Sequence, residues 1–181
     1  MSDTKPIIEI RKAGTQDINT LLRLGRDAFS ETYGPFNTVQ DLASHIEQTY
    51  SPDVILNNLH DESQTYLMAL VDGTAAGFGL LQSGPCPNGV AANKAFKVHQ
   101  LYVLQAYQRL RLGSRLIAAL EELALASGGD VIWLSVWERA DWARRFYLRC
   151  GFEVAGKIEF KLGSSDQTDI LMTLSLGQSV N

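Results

Sequence analysis

Apolar and polar positions along the chain follow two periods, and the switches between them outline its elements. Residues 6–13 (PIIEIRKA) alternate as a half-buried strand does, and Thr15 beyond them suits a helix cap. From 17 to 29 the spacing becomes helical, with Ile18, Leu21, Leu22, Leu24, Ala28 and Phe29 apolar, and Gly34-Pro35 acts as the stop. Residues 38–50 and 52–60 form a second helical region broken at Ser51-Pro52. The period then shortens. TYLMALVDGTAAGFGLLQ places two apolar runs around Asp72-Gly73, a strong hairpin signal.

After the Gly/Pro/Asn-rich loop at 83–93, residues 94–104 return to strand, and 113–127 read as a helix ended by Gly128-Gly129. The run VIWLSV (131–136) is short and apolar enough for a strand buried on both faces. A helix over 140–150, closed by Gly151, precedes two strands at 152–162 and 168–176 around the polar turn GSSDQ. The order is strand, two helical regions, three strands, helix, strand, helix, two strands. It predicts a mixed α/β (α+β) sheet whose parallel pair comes from the strand–helix–strand unit at 98–136, by a right-handed crossover.

Composition narrows the class. With 181 residues, 45% of them hydrophobic, the chain suits one domain spanning 1–181. No run of eighteen apolar residues suggests a membrane span, and the N-terminus lacks the pattern of a secretion signal, so a cytoplasmic protein is expected. Cys86 and Cys150 have no metal-ligand spacing and read as reduced structural thiols. A net charge of -4 argues against general nucleic-acid binding. Residues 1–90 carry eleven acidic against five basic side chains, and 91–181 carry nine against eleven. Such an asymmetry could serve one cationic and one anionic ligand, or be ordinary solvated charge.

The candidate chemistry sits where a strand feeds a helix, at YQRLRLGSRLIAAL (107–120). A helix start leaves its first amides without partners and carries the positive end of the helix dipole, a setting that binds phosphate or diphosphate. Gly113 permits close backbone approach, and Arg109, Arg111 and Arg115 can meet phosphate oxygens. Neither a Walker loop nor a dinucleotide Gly-x-Gly-x-x-Gly is present.

LYVLQAYQRLRLGSRLI resembles the acetyl-CoA motif of the GNAT N-acetyltransferase superfamily, a strand followed by Gln/Arg-x-x-Gly-x-Gly/Ala and a helix. WLSVWERADWARRFYLRCGF resembles the second motif of that family, at the expected interval. RDAFSETYGPFNT and the ending KLGSSDQTDILMTL are most similar to bacterial spermidine/spermine (diamine) acetyltransferases. The resemblance implies a seven-stranded, mostly antiparallel sheet with helices on both faces. It implies acetyl-CoA as co-substrate, no metal, and attack of an amine on the thioester without a covalent enzyme intermediate.

Carried over position by position, Gln108, Arg109, Leu110, Arg111, Leu112, Gly113 and Ser114 would cradle the diphosphate. Leu101, Tyr102 and Val103 would offer backbone groups to the acyl end. Arg111 stands where the motif usually has its first glycine, and Ala140 where an asparagine commonly contacts the cofactor. With ordinary dihedrals Arg111 can still offer its N–H; a glycine-only conformation would strain it by about 1–3 kcal/mol.

Two proton transfers accompany the reaction. Removing a proton from an amine of pKa near 10.4 costs about 4.6 kcal/mol at pH 7. A tyrosine of pKa about 10 protonating a thiolate of pKa about 8.5 works uphill by only ~2 kcal/mol. Tyr147 matches the family's general acid. His99, sharing a strand face with Lys97 by alternation, is the candidate base, with solvent as the other route. Asp27, Glu31 and Tyr33, near Phe36, are candidates for the amine site. Trp133, Trp137 and Trp142 read as core or cofactor-flanking packing, and His45 and His60 as solvated.

The expected partners are a small amine, polyamines first, and acetyl-CoA, with neither nucleic acid nor membrane, in a monomer or homodimer. Two alternatives remain: a protein N-terminal acetyltransferase and a catalytically weak acyl-CoA-binding regulator.

Overall fold

A computed structural model describes residues 5–162 and 165–177. Gly163 and Ser164, in the expected polar turn, lie outside the described residues. The chain forms β1 (Ile8–Lys12), α1 (Ile18–Tyr33), α2 (Val39–Thr49), α3 (Pro52–His60), β2 (Gln64–Val71) and β3 (Thr74–Ser83). It continues through β4 (Ala95–Val103), α4 (Leu112–Ala126), β5 (Val131–Trp137), α5 (Asp141–Arg149), β6 (Glu153–Leu162) and β7 (Ser165–Ser175). The seven strands make one sheet in the order β1-β2-β3-β4-β5-β7-β6, mostly antiparallel, with β4 and β5 as the parallel pair. The expected mixed sheet is therefore present. No helix among the described residues is long and apolar enough to cross a membrane.

The chain divides into two compact units. The first takes the chain up to Leu81 together with Gln100–Leu120; the second takes Gln82–His99 and everything from Glu121 onward.

In the first unit, β1 pairs with β2 from Ile8↔Val71 to Lys12↔Leu67. The expected cap at Thr15 is not what starts the next helix. Asp17 closes that corner instead: its two carboxylate oxygens accept from both terminal nitrogens of Arg11 at 2.8 Å, and one also accepts the Gly14 N–H at 2.9 Å. Asp17 is buried, and the Arg11 hydrogen bond holds its pKa below the ordinary carboxylate value.

Helix α1 runs four residues past Phe29, because nothing before Gly34-Pro35 interrupts it; Thr32 Oγ1 donates to the Ala28 carbonyl at 2.7 Å along the way. Thr38 and Ser51 cap α2 and α3 through the Asp41 and Val54 amides. The β2–β3 turn places Asp72 at φ 48 and Gly73 at φ 78, the two left-handed residues that an Asp-Gly hairpin requires. Leu21, Leu24, Tyr50, Ile55, Tyr66, Met68, Phe78 and Leu80 form this unit's core.

In the second unit, β5 pairs with β7 along its whole length, from Val131↔Ser175 to Trp137↔Asp169. Its buried apolar side chains include Phe96, Val98, Ile132, Leu134, Phe152 and Met172. Trp142, expected as packing, is exposed on α5, while Trp133 and Trp137 are half-buried.

Candidate active site

The strand-to-helix corner of the first unit is built by backbone. Gly77 on β3 fits beneath the end of β4 only because it lacks a side chain: a Cβ there would stand 2.7 Å from the Tyr102 carbonyl oxygen. The Leu104 N–H donates to the Ala76 carbonyl at 2.9 Å, and a 3-10 turn follows over Gln105–Leu110. Arg111 then takes φ 57, ψ 29, the left-handed conformation that glycine adopts without cost. The ordinary dihedrals on which its amide's availability depended are not realised, and its N–H points to the Gln108 carbonyl at 3.4 Å.

The first bond of α4's ladder joins the Arg115 N–H to the Arg111 carbonyl. The amides of Leu112, Gly113 and Ser114 precede that ladder, as the first amides of any helix do. Arg109, Arg111 and Arg115 are exposed, and no ion pair involves them among the described residues. Backbone donors at a positive helix end, with three exposed arginines in the same stretch of chain, can hold a diphosphate.

The side chains around that corner take distinct roles. Tyr102 packs against Phe78 with ring centroids 5.9 Å apart and edge-on to Phe29 at 6.2 Å, and it bonds Tyr50. Burial nonetheless pushes the Tyr50 pKa upward. Tyr33 lies 4.9 Å from Phe29. His45, expected to be solvated, is exposed yet stacks on Phe29 at 4.2 Å, and the covering of its ring lowers its pKa. Asp27 and Glu31, one turn apart, are exposed on α1. Glu31 Oε2 accepts the Gln105 N–H at 2.7 Å.

Sequence reasoning passed over Gln100. Its Oε1 is buried and has no hydrogen-bond partner among the described residues. A buried acceptor left unpaired costs about 1–3 kcal/mol, so it calls for a donor. The only hint in the sequence was a polar residue within the apolar run KVHQLYVL.

The second unit carries the other candidates. Its parallel ladder covers three pairs, Ala95↔Val131, Phe96↔Ile132 and Lys97↔Trp133, whereas β5 continues to Trp137. The Lys97 ammonium sits 4.9 Å from the Trp133 ring centroid, and burial lowers its pKa. Asp169 is half-buried, which raises its pKa against the opposing hydrogen bond from Ser135 and the charge of Lys97. His99 is exposed, but partial desolvation and then Lys97 keep its pKa below the usual histidine value. It is neutral at pH 7 and is a weaker base than an unperturbed imidazole.

Tyr147 on α5 packs edge-on to Phe146 and Phe152, at 5.1 and 5.7 Å. Ala140 is fully buried; its N–H donates to the Trp137 carbonyl at 2.8 Å, and its own carbonyl accepts from Ala143 and Arg144. A methyl group there offers a cofactor no polar contact. The candidates thus separate: Leu101, Tyr102, Val103, residues 108–114, Asp27, Glu31 and Tyr33 belong to the first unit, and His99, Ala140 and Tyr147 to the second. No group of three or more metal-ligating side chains occurs among the described residues.

Comparison with known proteins identifies the family. Residues 26–152 match the model of the Acetyltransferase (GNAT) family, and the chain belongs to that family. An uncharacterized N-acetyltransferase of Lactobacillus delbrueckii subsp. lactis is 26% identical over 93% of this chain and 98% of its own. The spermidine N(1)-acetyltransferase of Thermoplasma acidophilum is 28% identical over 81% of this chain and 89% of its own. Among solved structures, the PaiA N-acetyltransferase of Thermoplasma acidophilum in complex with coenzyme A superposes with a TM-score of 0.76 at 25% identity. That match covers 93% of this chain and 99% of the other. The protein is an acetyl-CoA-dependent N-acetyltransferase.

Proposed function

We propose that the enzyme acetylates a primary amine of a small molecule, polyamines such as spermidine before others, by direct attack on the thioester. The observation that carries the co-substrate half of this reading is the first unit's corner, where the amides of Leu112, Gly113 and Ser114 precede α4's ladder beside three exposed arginines. In this reading residues 108–114 bind the diphosphate, and backbone groups of Leu101, Tyr102 and Val103 meet the acyl end. The group supplied by acetyl-CoA is an activated acetyl on a sulfur leaving group; the chain's own residues bind, orient and manage protons.

The polyamine preference rests on the acidic first half, on Asp27 exposed on α1, and on the spermidine acetyltransferase among the relatives. Deprotonation of the amine is the costlier proton step. His99, with its lowered pKa, is free of its own proton at pH 7 and can accept one from the ammonium directly or through water. Its acid limb in kcat/KM belongs below pH 6.5. Tyr147 returns a proton to the departing thiolate.

A thiol-release screen with acetyl-CoA against polyamines, amino acids and short peptides tests the substrate class. Spermidine should be the best acceptor; peptides acetylated in its place would point to a protein N-terminal acetyltransferase. Coenzyme A binding without acetylation of any amine would favour a regulator. Tyr147→Phe should lower kcat about 10²-fold with saturating amine. Unchanged turnover would remove Tyr147 from the acid role.

A further inference from the structure

We propose that Glu31 is a positioning residue: from the C-terminal end of α1, its carboxylate holds the diphosphate-binding corner in place rather than receiving the amine. The proposal rests on the reading that residues 108–114 bind the diphosphate of acetyl-CoA. Glu31 Oε2 accepts the backbone N–H of Gln105 at 2.7 Å, across 74 positions of sequence. That distance lies at the short end for N–H···O and is typical of a bond to an ionised acceptor.

Gln105 opens the 3-10 turn that delivers the chain to Arg111. The remaining ties within the turn are local, and two of them are long: Arg111 N–H to the Gln108 carbonyl and Gln108 Nε2 to the Val103 carbonyl, both 3.4 Å. Tyr107 N–H to the Leu104 carbonyl, at 2.9 Å, is short but spans only three residues. Two non-local bonds therefore fix where the turn begins. The Leu104 amide is held by β3 through Ala76, and the Gln105 amide by α1 through Glu31.

Helix α1 can serve as the anchor because its end is itself held. Phe29, two residues before Glu31, stacks on His45 at 4.2 Å and meets Tyr102 edge-on at 6.2 Å. Glu31 thus connects a packed helix to a turn whose last residue is in the left-handed region. A turn that must hold Arg111 there is inclined to relax, and fixing its entry limits how far it can move. One of the two carboxylate oxygens of Glu31 is already given to Gln105, so only Oε1 is left for any other donor. Asp27 has no such commitment among the described residues, which leaves it as the α1 carboxylate better suited to the amine.

The test is a coenzyme A titration by calorimetry on the full chain, together with acetyl-transfer kinetics and hydrogen exchange on the ligand-free protein. Glu31→Ala should weaken coenzyme A binding about 3- to 10-fold, the share of a charge-assisted bond that survives at an exposed site. It should leave kcat and the KM for amine within about twofold and speed exchange at the Gln105 amide. Glu31→Gln keeps a carbonyl acceptor and should recover most of the affinity. If both variants instead raise the amine KM while coenzyme A affinity stays constant, Glu31 binds the acceptor and the proposal fails. If Glu31→Gln loses as much affinity as Glu31→Ala, charge rather than the tether is responsible, which also overturns it. Wild-type protein that binds no coenzyme A would overturn the cofactor reading, and this one with it. Wild-type binding with unaltered affinity in Glu31→Ala would overturn this proposal alone.

Discussion

At the first unit's corner, polar groups are tied to backbone at stated lengths: Glu31 to the Gln105 amide at 2.7 Å, the Leu104 amide to Ala76 at 2.9 Å. On the second unit's strand face, Lys97 and Asp169 influence each other's ionisation without forming an ion pair, and both are pushed by burial toward their neutral forms. The first region is defined by geometry, the second by electrostatics. Damage at the corner should therefore register as lost stability or lost affinity that an isosteric replacement rescues. Damage on the strand face should register as a changed pH dependence, with little effect on the fold.

The largest expected effect tests the geometric side. Gly77→Ala forces a Cβ to within 2.7 Å of the Tyr102 carbonyl oxygen and 3.2 Å of the Val103 Cα, backbone that cannot swing aside. It should destabilise the protein by about 1–3 kcal/mol in urea unfolding. A variant with wild-type midpoint and slope would mean that the end of β4 is not fixed by this approach, and the contrast between the regions would lose its basis.

A smaller effect tests the electrostatic side. The folded pKa of Asp169 is raised, so ionising it costs stability. That cost is absent below the unfolded value near 3.9 and grows as pH rises through the folded value. Asp169→Asn has no such loss. Its stability relative to wild type should climb as pH rises from the unfolded value and level off once the folded carboxyl has ionised. Unfolding measured between pH 3 and 7 reads this directly; a relative stability that falls with rising pH would show that the carboxylate is favourably paired after all.

The smallest effect bears on Arg111. Replacing a left-handed arginine by glycine relieves about 1–2 kcal/mol, offset by up to about 1 kcal/mol from the looser unfolded chain. Arg111→Gly should raise stability slightly while weakening coenzyme A binding, because a guanidinium beside the helix start is lost. A stability gain with unchanged affinity would reduce Arg111 to a strained turn residue.

Much of the architecture could be read from periodicity. The two apolar runs from Thr65 around the Asp72-Gly73 turn and the strand–helix–strand unit appear close to where local pattern put them. Local pattern failed where a distant side chain replaced a nearby one. Thr15 looked like the cap, but Asp17, held by Arg11 from the neighbouring strand, closes that corner. In the candidate site, the stretch Gln108–Gly113 stood out through its resemblance to the family's acetyl-CoA motif. The stacking of His45 and the buried oxygen of Gln100 did not, since both depend on which groups the folded chain brings near.

The sequence by itself determined the strand and helix order, the hairpin, and the motif that marks a GNAT enzyme, because each follows from residue type at short separation. Tertiary structure alone decided that Arg111 is left-handed, that Glu31 accepts the Gln105 amide, and that Lys97 and Asp169 are partly desolvated. The reason is physical: burial and long-range hydrogen bonding are properties of neighbours in space, and a linear pattern records neighbours only along the chain.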